Sequence, residues 1–95
     1  MIAAATRIPT THASKYLAGL CRRFAARVPA QMDGDEGRID LPLGPCHLSA
    51  MPESLALVVE AEDEDRLSHL KWVVTGHLKR VATREPLEVE WSPAW

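Results

Sequence analysis

Cys21, Cys46 and His77 are the residues of this chain best suited to holding a transition metal, because thiolate and imidazole are ligands that zinc and iron accept. Cys21 and His77 each fall on the apolar face of a helical periodicity, and Cys46 alternates with Leu48 and Ala50 in a strand register. All three can therefore point into one interior. The spacing contains no Cys-x-x-Cys, His-x-x-x-His or Cys-x-x-His, so the simpler reading is three core residues, with His77 neutral and satisfied by a hydrogen bond. Cys46 and His47 are neighbours, but in a strand they face opposite sides. His69 and His77 lie about 12 Å apart along a helix axis, too far to share an ion.

Arg22, Arg23 and Arg27, with Lys15, present guanidinium and ammonium groups that suit a phosphate or carboxylate. The arginines also sit where the last turns of a helix favour positive charge, and that alone accounts for them. The acidic run Glu60–Asp65 lacks the glycine and the oxygen spacing of a calcium loop. Ser14, Ser49, Ser54, Ser68 and Ser92 all lie outside a Gly-x-Ser-x-Gly setting, and there is no phosphate-cradling glycine loop. Trp91 and Trp95 flank Pro93 at the C-terminus. Burial is expected for Trp91, and a partner contact or a disordered tail for Trp95. A ligand would thus meet His77, Arg22, Arg23, Cys46 and Trp91.

These residues must be positioned by elements that the hydrophobic pattern predicts. Ile2 to Ile8 alternates as a first strand and ends at Pro9. Thr10 or Thr11 then caps a helix carrying Ala13, Tyr16, Leu17, Leu20, Cys21, Phe24 and Val28 on one face, stopped by Pro29. Asp33 to Gly37 is turn chemistry between the short runs Ala30–Met32 and Arg38–Leu41, a hairpin. Two more strands follow, Cys46–Ala50 and Leu55–Ala61. Glu62 to Asp65 opens the longest helix and Lys79, Arg80 and Arg84 close it, matching the helix dipole at both ends. Its apolar stripe is Leu67, Leu70, Val74, His77, Leu78 and Val81. Pro86 introduces a last strand with Leu87, Val89 and Trp91 on one face.

The order β-α-β-β-β-β-α-β predicts an α+β two-layer sandwich, an antiparallel sheet of five or six strands with both helices on one face. A chain of 95 residues is read as one domain, residues 1–95. So small a domain buries only about 60–65% of its unfolded surface, which makes a weak homodimer advantageous. Eleven Lys and Arg against thirteen Asp and Glu, net charge −2, argue against nucleic acid as a partner. No stretch reads as a membrane span or signal peptide, and two cysteines are too few for a disulfide scaffold, so the cytoplasm is expected.

Ala13–Cys21, Gly37–Asp40, Gly76–Ala82 and Arg84–Trp91 together resemble a bacterial family of unknown function, number twenty-two eighteen of that series, over essentially the whole chain. The chain has Arg22 and Arg23 where a basic residue and then His is the usual pair, and Val81 where Phe is usual. Members of that family resemble stand-alone small proteins or extra domains on siderophore-interacting flavin reductases. The resemblance implies a link to iron uptake, with such a reductase as a partner. The strand-helix-four-strand-helix order is also similar to half of the TATA-binding protein, a likeness of architecture that carries no function. The reading is a non-catalytic small-ligand-binding or protein-interaction module without a cofactor. The alternative is a small metal-dependent enzyme or metal-binding factor using His77 with Cys21 or Cys46.

Overall fold

In the computed structural model, which describes residues 1–94, the eight expected elements occur in the expected order. They are β1 (Ile2–Pro9), α1 (Ala13–Ala25), β2 (Ala30–Asp33), β3 (Glu36–Leu41), β4 (Gly44–Ala50), β5 (Ser54–Ala61), α2 (Glu64–Val81) and β6 (Ser92–Pro93). Trp95 lies outside the described residues.

The six strands form one antiparallel sheet in the order β2-β3-β4-β5-β1-β6. Strand β5 is central and has the cleanest alternation. Leu55, Leu57, Val59 and Ala61 are buried, while Ser54, Ala56, Val58 and Glu60 are half-buried on the opposite side. That register is shared by the neighbours, since Val59 pairs with both Ala4 and Cys46, and Leu57 with both Thr6 and Leu48. The two helices cover this apolar face. Helix α1 contributes Leu17, Leu20, Cys21 and Phe24, and α2 contributes Leu67, Leu70, Val74 and Leu78, all within one hydrophobic cluster. The other face of the sheet carries no helix.

Helix α2 starts as its charge order requires: the Asp63 carboxylate accepts the Arg66 N–H at 2.8 Å, satisfying one of the free donors of the first turn. Arg84 lies beyond the helix end at Val81. Helix α1 starts differently from expectation. Its N-cap is His12, without a side-chain cap, and the Thr10 hydroxyl instead accepts the His12 N–H at 3.1 Å. The same hydroxyl donates its proton to Glu85 at 2.8 Å. Helix α1 ends at Ala25, so Val28 packs from outside it.

Strand β4 begins at Gly44, two residues before the expected start. Gly44 has φ 152, and a Cβ there would lie 1.8 Å from the Glu60 carbonyl, so only glycine allows the ladder to extend this far. The hairpin between β2 and β3 turns through Gly34 and Asp35, with Asp33 paired to Glu36.

The last strand is much shorter than its pattern suggests. Leu87, Val89 and Trp91 do turn inward, but residues 87–91 run without a ladder and only Ser92–Pro93 pairs with β1. This stretch lies against the helix layer instead, where the Trp91 indole N–H donates to the Thr75 hydroxyl of α2 at 3.0 Å. Leu87 is 8% exposed, so the segment still completes the core. Truncation after Arg84 is accordingly expected to abolish cooperative thermal unfolding. Trp91→Phe, which keeps the ring and removes the donor, is expected to cost about 0.5–1.5 kcal/mol in denaturant titration.

Candidate ligand-binding site

The two helices run side by side and approach closely at Gly19, where a Cβ would lie 2.7 Å from a Val81 methyl. Along this seam the polar residues of both helices meet. At one end the Arg23 Nε–H donates to His77 Nδ1 at 2.7 Å, and the Phe24 and His77 rings lie 4.6 Å apart. His77 is therefore half-buried at the seam and not in the core. Partial burial, then the nearby charges of Arg23, Arg80 and Arg27, push its imidazole below the ordinary value of 6.5.

At the other end, Glu85 follows α2 and reaches back to α1. Its Oε1 accepts from the Tyr16 hydroxyl at 2.7 Å and from the Thr10 hydroxyl at 2.8 Å. Those two bonds, helped by His12, hold the Glu85 carboxyl below its ordinary value despite partial burial. Burial and the Glu85 charge raise the Tyr16 phenol, which stays protonated and donating at neutral pH. Beside this carboxylate opens a cavity of about 580 Å³ bordered by His12, Lys15, Tyr16, Val81, Arg84 and Glu85. None of His12, Lys15 and Arg84 belongs to an ion pair among the described residues. Three basic side chains thus border a cleft containing one ionised carboxylate, whose Oε1 is already engaged.

Of the five residues picked out from the sequence, only Arg23 and His77 touch. Arg22 is exposed on α1 and Trp91 is bonded to Thr75. Cys46 is fully buried, and burial, reinforced by Cys21, pushes its thiol up to about 12. The thiolate form that binds metals is thereby suppressed, and the Nδ1 lone pair of His77 is taken by Arg23. No group of three or more His, Cys, Asp or Glu converges as a metal site among the described residues.

The family model for uncharacterized proteins conserved in bacteria, DUF2218, matches residues 5–92. The chain belongs to this family. No curated protein matches it at a significant level. Among solved structures it is similar to PA4090 from Pseudomonas aeruginosa, determined by NMR, with a TM-score of 0.81 and 32% identity over 99% of this chain and 98% of that one.

Sequence reasoning missed His12, Tyr16, Arg84 and Glu85 as a group. Tyr16 was counted among the apolar stripe, and Glu85 lies 69 positions further along the chain. Trp72 was missed too, a side chain 74% exposed on the outer side of α2 with its ring 6.3 Å from His69.

Two pH tests follow from the seam. The lowered Glu85 value means its contribution is complete above about pH 4.5 and is lost as pH falls through the folded-state value. Tyr16→Phe should lower the melting midpoint at pH 7, and the gap to wild type should shrink on acidification below pH 4.5. The lowered His77 value likewise makes its contribution present above pH 6.5 and lost on acidification below it. His77→Gln, which can still accept from Arg23, is expected to flatten the fall in melting midpoint between pH 7.5 and 5.5.

Proposed function

We propose that this protein is a non-catalytic binding module that takes a small hydroxycarboxylate or phosphate in the cleft between α1 and the segment after α2. The observation that carries this reading is the convergence of His12, Lys15 and Arg84, all free of ion pairs among the described residues, on the cavity beside Glu85. Arg84 offers a planar fork to an oxyanion and Lys15 a compact charge. The second oxygen of Glu85 suits a ligand hydroxyl, so a carboxylate with an adjacent hydroxyl uses both signs of charge in the cleft. The reading assigns no covalent step. The Tyr16 phenol is held protonated by burial and by its bond to Glu85, and the buried Cys46 thiol with its raised value is a poor nucleophile.

Hydroxycarboxylates are iron chelators. The resemblance to domains carried by siderophore-interacting flavin reductases therefore supports a role beside such a reductase in iron metabolism, with the cytoplasm as its setting. No helix is long and apolar enough to cross a membrane among the described residues.

The test is titration of the protein with citrate, inorganic phosphate and chloride at low ionic strength, followed by amide chemical shifts and calorimetry. Citrate should perturb His12, Lys15, Tyr16 and Arg84, and Lys15→Ala or Arg84→Ala should weaken it at least about fivefold, roughly the worth of one exposed charge contact. His77→Gln, outside the cleft, should leave affinity unchanged. Equal, non-saturating responses to all three anions, or shifts confined to Arg23, Arg27 and Arg80, would remove the proposal.

A further inference from the structure

The uncovered face of the sheet has a charge order that matches itself. Hydrogen-bonded register places Arg7, Ala56, Ser49, Glu36 and Asp33 in one row across β1, β5, β4, β3 and β2. Base stands at one end, acid at the other, and two small residues lie between. The next row on the same face is Ala5, Val58, His47, Arg38 and Gln31, apolar at the β1 end.

Most charges on this face are already answered within the chain. Arg38 pairs with Asp40 at 2.8 Å, Glu60 with His47 at 3.1 Å, and Glu36 accepts from the Ser49 hydroxyl. Arg7 and Asp33 are the exceptions: both are exposed and belong to no ion pair among the described residues, although Glu90 also borders the depression beside Arg7. That depression, about 450 Å³ and floored by Ala5, Ala56 and Val58, leaves apolar surface with no element over it.

We propose that a second copy of this chain covers this face, in a two-fold dimer whose axis runs along the strands between β4 and β5. Such an axis carries β5 onto the partner's β4 and β1 onto the partner's β3. Each Arg7 then stands over the partner copy's Glu36, twice by symmetry, while Ala56 meets Ser49 and Val58 meets His47. Aligned sheets tolerate this geometry with a modest rotation from their twist. Six strands about 4.8 Å apart and some five residues deep give a footprint of roughly 500 Å² per copy, the scale of a weak, reversible association. The helix layers, and the ligand cleft at their seam, face outward in this arrangement. The dimer stands on the register of the sheet alone and does not depend on what the cleft binds.

Sedimentation velocity from micromolar to millimolar protein, with amide and methyl shifts over the same range, tests the arrangement. Mass should approach that of a dimer, with shifts at Ala5, Ala56 and Val58. Arg7→Glu and Glu36→Arg, each at an exposed position, should weaken association about tenfold or more by setting like charges face to face. The double exchange in one chain should restore it to within about threefold, which no merely structural role of either residue would do. Thermal unfolding confirms that each variant is folded, and the wild-type shift map stands independently of them. A wild-type chain that stays monomeric at millimolar concentration would overturn the proposal. So would a dimer that ignores both reversals and shifts the β2 edge instead.

Discussion

Burial of a single face of β5 is the constraint on which the rest of the structure depends. Leu55, Leu57, Val59 and Ala61 all point one way because strand side chains alternate with period two, and a shift of one residue would expose every one of them. Its neighbours β1 and β4 are held in matching register, so Ala4, Ile8, Cys46 and Leu48 join the same face. Two amphipathic helices are then needed to cover it, and they cover only it. The uncovered face, with its mixed charges and small apolar residues, is the other half of that constraint.

Placing both helices on one side also creates the seam between them. Gly19 permits a close approach to Val81, and the residues flanking this contact meet as a consequence. His77 comes to rest against Arg23 and Phe24 on one side, and Glu85 against Tyr16 and Thr10 on the other. The second group works as a latch as well as a border of the cleft. It ties the start of α1 to the chain just after α2, and it fixes the path by which residues 87–91 return along the helix layer.

The same side chains therefore have structural and recognition roles that differ atom by atom. In Glu85 one oxygen is engaged by two hydroxyl donors and holds the fold, while the residue also borders the cleft. His77 has one nitrogen committed to Arg23, and its weakened basicity comes from partial burial and three nearby guanidiniums. The two cysteines are inert for a simpler reason. Water is excluded around Cys46, so its charged form is disfavoured, and Cys21 is raised by burial in the same way.

Element order, the two-layer arrangement and most of the core were legible in the sequence because they rest on local periodicity: two in the strands, three and four in the helices, with acid and base placed at the proper ends of α2. Glycine and proline marked the turns, though not that Gly44 lets β4 start early against the Glu60 carbonyl. Tertiary structure alone decided which apolar run became a strand. Leu87, Val89 and Trp91 alternate as well as any strand here, yet their segment runs outside the ladder, with Trp91 bonded to Thr75 on α2. The cleft was hidden for the same reason. Glu85 is distant in sequence from Thr10 and Tyr16, all three are unremarkable one by one, and only the packing of α1 against the segment after α2 brings their oxygen atoms within hydrogen-bonding distance. Periodicity reports which way a side chain faces, whereas its partner across a seam depends on how two elements meet in space.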